Sequence, residues 1–264
     1  MKSMDLFRLK GKNAIITGGA GHLGTMMSEA LAEAMANVVI ASRNLDKCKD
    51  VALRISKSNP KIEIIALRLD ISNRESIKRC FSEIKERFGR IDILVNNAYY
   101  GASNTLEKMS DEEWYLGIDG GLSSVFRCTS EVIPFMKEQG GGVIVNVSSM
   151  YGIVSPDPRI YPDMKLANPP NYGVAKAGLI QFTKYCACHL AQYGIRVNAI
   201  SPRPFPSPKI QKEKRFMKEL AAKNPMGRIG QPWELKGPLL FLCSDASSYV
   251  TGHNLVVDGG WTIL

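Results

Sequence analysis

The sequence predicts an α/β fold: a single doubly wound domain in which a seven-stranded parallel sheet carries helices on both faces. Short apolar runs alternate with amphipathic helical segments along the chain, the pattern of successive βαβ units. A glycine-rich turn joins the first apolar run to the first helical one. No linker or internal repeat breaks the series, so one domain is expected across residues 1–264.

Taken in order, strands are expected at residues 13–17, 38–41, 62–67, 91–95, 143–147, 196–200 and 254–257. The helix expected over 23–35 sets Leu23, Met27, Ala30, Leu31 and Ala34 on one stripe, and a later helix does the same with Ile77, Phe81, Ile84 and Phe88. These stripes are core faces. The main irregular stretch is 151–171, where Pro156, Pro158, Pro162, Pro169 and Pro170 forbid a continuous helix and predict a loop.

Composition narrows the function classes. A hydrophobic share of 45% can build a sizeable core and excludes a disordered tail. The six cysteines form no C-x-x-C pair, and Cys186 and Cys188, two apart, would point in different directions on a helix. That pattern argues against a zinc site or disulfide framework and suits a reducing cytosol. The N-terminus lacks the apolar stretch of a signal peptide, and no run approaches the ~18 apolar residues of a membrane span, so a cytoplasmic protein without membrane attachment is expected. A net charge of +9 favours anionic ligands such as nucleotides. The one basic concentration, Lys209 to Lys218, reads as a solvated helix face, and with no accompanying nucleic-acid motif no nucleic-acid partner is expected.

After the first strand come Thr17, Gly18, Gly19, Ala20, Gly21, His22, Leu23 and Gly24, leading into a helix. Glycines here let the backbone turn tightly and approach a pyrophosphate, whose charge is favoured by the exposed N–H groups of the helix N-terminus. A Rossmann-type dinucleotide site is therefore expected. At the end of the second strand, where an NAD-preferring site would carry an acid, stand Ala41, Ser42 and Arg43. A hydroxyl and a guanidinium receive a 2′-phosphate that an acid would repel, so NADP(H) is the preferred cofactor, with NAD(H) as the alternative.

Six motifs now stand in register: the glycine-rich turn; Asn96, Asn97 and Ala98; Ser149 after Asn146-Val147-Ser148; Tyr172 to Lys176; Arg196 to Pro202; and Val257 to Gly260. Together they resemble the short-chain dehydrogenase/reductase family over nearly the whole chain. The resemblance implies an NAD(P)(H)-dependent oxidoreductase interconverting a secondary alcohol and a ketone, with Ser149, Tyr172 and Lys176 as catalytic residues. It also implies that Asp70 and Ile71 hold the adenine, that Asn97 and Ala98 line the cofactor, and that Pro202, Phe205 and Ser207 lie beside the nicotinamide amide. Residues 207–224 resemble a substrate lid, and those around Asp258 and Trp261 a subunit contact of a dimer or tetramer.

Physical chemistry supports the central pair independently. Tyr172 and Lys176 are four apart, so on a helix they share a face, and a neighbouring ammonium favours the phenolate over the phenol of ordinary pKa near ~10. Tyr161 and Lys165 have the same spacing, and Tyr161 lies 12 residues after Ser149, nearer the family's usual separation than the 23 of Tyr172. Helix physics favours Tyr172: Pro169 and Pro170 stop any helix from Tyr161, whereas Tyr172 opens a long segment bearing Leu179, Phe182, Thr183, Cys186 and Leu190. The extra length is then an insertion of about ten residues beside the substrate. Its Asp157, Arg159, Tyr161 and Asp163 offer polar contacts for a hydroxylated substrate, and equally fit a role in holding the loop together. With the basic lid, the insertion favours a sugar, polyol or related polar substrate.

Four positions depart from the family: His22 and Tyr99 replace glycines, Gly121 stands where the tetrad asparagine is expected, and Arg203 replaces the glycine after Ser201-Pro202. A side chain in place of glycine excludes a positive φ or fills ligand space. His22 and Arg203 are candidates to contact phosphate or an acidic group on the substrate. Glycine at 121 keeps the main-chain carbonyl and tolerates the helix distortion found there in the family. The departures leave a catalytically silent, nucleotide-binding regulatory member, and a non-redox enzyme, as alternatives to the oxidoreductase.

Overall fold

A computed structural model describes residues 2–161 and 168–264. The chain runs β1 (Asn13–Thr17), α1 (His22–Glu33), β2 (Asn37–Ser42), α2 (Leu45–Ser58), β3 (Ile64–Arg68), α3 (Arg74–Phe88) and β4 (Ile93–Asn96). It continues with α4 (Asp111–Ile118), α5 (Ser124–Glu138), β5 (Gly142–Val147), α6 (Pro170–Leu190), β6 (Ile195–Pro202), α7 (Lys214–Ala222), α8 (Lys236–Cys243) and β7 (Asn254–Val257). These seven strands form one parallel sheet in the order β3-β2-β1-β4-β5-β6-β7. The winding reverses between β1 and β4, which opens a crevice at the carboxyl ends of these strands.

Alternation along each strand feeds both faces of the sheet. Ile16, Ile40 and Val95 point to one side and meet Met27 and Leu31 of α1, Ile55 of α2 and Leu239 of α8. Ile15, Val39 and Leu94 point to the other and meet Phe81 of α3, Val132 of α5 and Leu190 of α6. Both faces are therefore covered, as a parallel sheet requires.

Every expected strand is present, with ends displaced by up to two residues. The first helix stops short of the expected Met35, which turns left-handed at φ 75°. Ala36 N–H then reaches back to the carbonyl of Leu31 and Met35 N–H to that of Ala32, closing the helix so that the chain can enter β2. Residues 151–161 form a loop with one-turn 3-10 segments at Met150–Gly152 and Pro158–Ile160. Pro162, Asp163 and Lys165 lie outside the described residues. Pro169 caps α6 and Pro170 opens it, positions where the missing N–H costs nothing.

A buried polar chain fixes α6 on the sheet. Asn96 of β4 donates to Asn146 of β5 at 2.9 Å, and Asn146 donates to Thr183 of α6 at 2.9 Å. Ser148, just past β5, donates to the carbonyl of Lys176 at 2.8 Å. The register between β5 and α6, on which the candidate site depends, is thereby set by hydrogen bonds as well as by packing. Replacing Asn146 by Ala strips a buried acceptor and a buried donor, and is expected to destabilise the protein by about 1–3 kcal/mol. Urea unfolding checks this through a lowered midpoint at unchanged m-value.

Candidate active site

The nucleotide end of the crevice is built from β1, the turn and α1. Gly18 adopts φ +66°, and a Cβ on Gly24 would lie 2.1 Å from the Gly18 carbonyl oxygen and 2.9 Å from Asn97 Nδ2, so both glycines are sterically required. Asn97 clamps the turn by donating to the carbonyls of Thr17 at 3.0 Å and Gly18 at 3.1 Å, and Thr17 Oγ accepts from the N–H of Ala98 at 3.0 Å. No side chain caps α1 at Gly21, so its first N–H groups remain available to an anion.

A cavity of about 530 Å³ opens here, lined by Gly18, Ala20 and Gly21 to Gly24, by Ser42 and Arg43, and by Ile71, Asn97 and Ala98. The residues present fit a dinucleotide: a close-approach glycine turn, an uncapped helix start and a cation at the end of β2. Sequence reading missed Lys47, whose N–H is taken by the Asn44 cap of α2 and which also lines the cavity. A basic residue in the first turn of a helix, just after the cation of β2, was the available signal. Asp70 Oδ1 accepts from the N–H and hydroxyl of Ser72, and its neighbours Leu69 and Ile71 line the cavity.

The second cavity, about 380 Å³, continues from the first through His22, Leu23, Asn97 and Tyr99, and is lined by Tyr172, Lys176, Pro202, Phe205 and Ser207. Tyr172 lies in the first turn of α6 and Lys176 in the next, with the ammonium 5.7 Å from the Tyr172 ring centre. Lys176 is buried and donates to the carbonyl of Val147 at 2.7 Å, at the end of β5. Ser149 is buried outside the cavity lining, its hydroxyl accepts from the N–H of Tyr151 at 3.2 Å, and it lies near enough to Tyr172 to favour the phenolate. Burial raises the Tyr172 pKa, but the Lys176 ammonium, the Arg203 guanidinium and the Ser149 hydrogen bond outweigh it and bring the phenol below its ordinary value. Burial lowers the Lys176 pKa, Tyr172 opposes the fall and Arg203 adds to it.

Neighbouring phenols go the other way. Burial and then Tyr172 push Tyr99 up to about 12, and burial with the Tyr161 contact raises Tyr151. Tyr161, the rival from the sequence, spends its hydroxyl on that of Tyr151 and packs against Phe216 at 5.1 Å. It lines the cavity, while its partner Lys165 falls outside the described residues. Asp157 is bound by Arg159 and Lys223 and does not line either cavity, so these residues tie the insertion to the segment of α7. Of the expected polar contacts, Tyr161 faces the cavity and Asp157 and Arg159 hold the loop. Asn168, which sequence reading passed over, also faces it. Trp261, expected at a subunit contact, is buried within the chain beside Tyr151 and Phe216.

The four departures have local accommodations. His22, Tyr99 and Arg203 all keep negative φ, so none strains the backbone. Gly121 lies in a π-helical stretch, Asp119–Ser123, the distortion expected there. A Cβ at Gly121 would stand 2.7 Å from that of Ala175 and 3.4 Å from the Tyr99 ring, so the Tyr99 ring lies against the face that Gly121 leaves bare. That ring meets Tyr172 edge-on at 5.1 Å.

Comparison with known proteins places similar chains beside this one. A family profile described as Enoyl-(Acyl carrier protein) reductase matches residues 19–262. The 3-oxoacyl-(acyl-carrier-protein) reductase FabG of Thermotoga maritima is 37% identical over 263 residues, covering 97% of this chain and 100% of its own. The NAD-dependent glycerol dehydrogenase of Listeria innocua is 34% identical over 262 residues, covering 97% and 96%. The crystal structure of a gluconate 5-dehydrogenase from Burkholderia cenocepacia in complex with NADP and tartrate matches 100% of both chains with a TM-score of 0.90 at 30% identity.

Replacing Gly24 by Ala forces a methyl group onto the Gly18 carbonyl and the Asn97 amide. The expected outcome is a loss of about 1–3 kcal/mol of stability together with weakened nucleotide binding. Thermal unfolding and nucleotide titration of the same variant check the two effects.

Proposed function

The chain belongs to the short-chain dehydrogenase/reductase family, oxidoreductases that bind NAD(P) and act on alcohol and ketone groups, and on that premise we propose that it interconverts a secondary alcohol and a ketone using NADP(H) in preference to NAD(H). The substrate is a sugar, polyol or related polar molecule. The observation that carries the reading is Tyr172 in the cavity that adjoins the nucleotide crevice, edge-on to Tyr99 at that junction and one helical turn from a buried ammonium.

Gly18 to Gly24, with Asn97 and Ala98, would hold the dinucleotide, Ser42, Arg43 and Lys47 would receive its 2′-phosphate, and Pro202, Phe205 and Ser207 would bind on its nicotinamide side. When bound, the nicotinamide supplies hydride for reduction and accepts it in oxidation. Tyr172 gives its proton to the carbonyl oxygen in reduction and takes one from the alcohol in oxidation. Ser149 polarises the same oxygen. Lys176, fixed by the Val147 carbonyl, keeps the phenolate accessible through its charge. None of the four departures separates Tyr172 from Ser149 or Lys176, which favours an enzyme over a silent nucleotide-binding member.

Residues 1–264 act as one NAD(P)-binding domain, with the insertion 151–171 and the lid 207–224 as the substrate wall. Tyr161 and Asn168 of the first face the cavity together with Ile210, Phe216 and Leu220 of the second. Among the described residues no helix is long and apolar enough to cross a membrane. The protein works as a cytoplasmic dimer or tetramer. Exposed Tyr115 and Leu116 of α4, Phe126 of α5 and Tyr185 of α6 supply apolar surface for subunit contact.

Tyr172→Phe is expected to lower kcat/KM by about 10²- to 10⁴-fold in a fold unchanged by circular dichroism, and undiminished turnover would refute the assignment. In the wild type, oxidation rises with pH through a pKa below 10 and reduction falls, because the phenolate takes the proton and the phenol gives it. Lys176→Met removes a charge that lowers this pKa, so the rising limb of its residual oxidation moves to higher pH. Arg43→Asp should shift the ratio of NADPH to NADH affinity toward NADH, read by fluorescence titration.

A further inference from the structure

Arg203 is the first residue beyond β6, and its N–H extends the pairing with β7 by donating to the carbonyl of Val257 at 3.1 Å. Its guanidinium lies 4.9 Å from the Tyr151 ring centre and 6.0 Å from that of Tyr172. Nη2 donates to Asn168 Oδ1 at 2.8 Å, and the Tyr151 face supplies a second, stacking contact. A guanidinium has five N–H donors in a planar fork, so these two contacts orient it without exhausting it.

Location decides what the remaining donors are for. Arg203 lines the cavity of Tyr172 and not the one that holds Arg43 and Lys47, so its charge is on the substrate side rather than the phosphate side. Among the described residues, that cavity is lined by Arg203 and Lys176 and by no Asp or Glu, and Arg203 makes no ion pair. The Lys176 ammonium is committed to the Val147 carbonyl. A half-buried cation stacked on an aromatic face and held by a neutral amide, with no carboxylate at ion-pair distance among the described residues, is a receptor for one.

We propose that Arg203 determines substrate specificity by binding a carboxylate of the substrate, so that the protein acts on a polyhydroxy acid whose acid group lies within a few bonds of the reacting carbinol carbon. Arg203 and Tyr172 line one cavity, with the guanidinium 6.0 Å from the Tyr172 ring centre, and this proximity sets that short separation, because the reacting oxygen must meet the Tyr172 hydroxyl. The inference rests on the oxidoreductase reading above and narrows its substrate class.

The test uses matched acids and neutral polyols: gluconate against sorbitol, and tartrate against threitol. Binding is measured by calorimetry on the whole protein with and without NADP⁺, and oxidation by NADPH appearance. The wild type should favour the acid of each pair roughly tenfold to hundredfold, the range of a charge-assisted contact. Arg203→Gln should erase the preference and Arg203→Lys should restore part of it. Equal affinity of the wild type for acid and polyol, or a preference that survives in Arg203→Gln, overturns the proposal; the first readout needs no variant to fold. Turnover of neutral substrates without regard to charge sinks this inference alone. An acid preference in binding, with neither NADP(H) uptake nor turnover, upholds the carboxylate site and sinks the oxidoreductase reading.

Discussion

The buried ammonium of Lys176 is the group around which the site is arranged. Burial disfavours its charge, and the compensations at hand are the Val147 carbonyl and the Tyr172 oxygen, with no carboxylate described nearby. Such a cation is useful because it is incompletely neutralised: its field falls on the phenol one helical turn away. A carboxylate partner would stabilise the ammonium and cancel that field. Holding the arrangement therefore falls to neutral groups, chiefly the Asn96–Asn146–Thr183 chain and the Ser148 hydroxyl, which lock α6 to β5.

Arg203 adds a second cation to the same phenol. The two like charges lower the pKa of that hydroxyl together, and at Lys176, whose own pKa falls chiefly through burial, Arg203 adds to the fall. On the proposed function, a negatively charged substrate group relieves the repulsion between the two cations and so ties substrate charge to the state of the Tyr172 phenol. The crevice thus separates its basic residues by cavity. Arg43 and Lys47 line the one beside the glycine turn, and Lys176 and Arg203 the one that holds Tyr172.

Tyr99 and Gly121 illustrate how paired replacements keep a site intact. Each looks damaging alone, since one adds a ring where the family has glycine and the other removes a side chain. In the fold they are neighbours, and the ring lies against the bare face of the helix while the π-helical stretch is kept. Nothing in the one-dimensional spacing of residues 99 and 121 announces that contact. The same holds for Tyr161, which competes with Tyr172 by motif but is drawn into a hydroxyl pair with Tyr151 and the packing of Phe216.

What the sequence determined by itself follows from local rules. Period-2 and period-3.6 patterning placed the strands and helices, Gly18 and Gly24 marked the tight turn, Pro169 and Pro170 fixed where α6 starts, and Tyr172 and Lys176 shared a face by helix geometry alone. What only the tertiary structure decided involves groups far apart in the chain. The use of Asp157 as a strut to Lys223 and the placing of Arg203 beside Tyr151 and Asn168 are such cases. Periodicity is a property of neighbours along the chain. A side chain's charge environment is summed over whatever the fold brings near it, and that sum is written nowhere in local order.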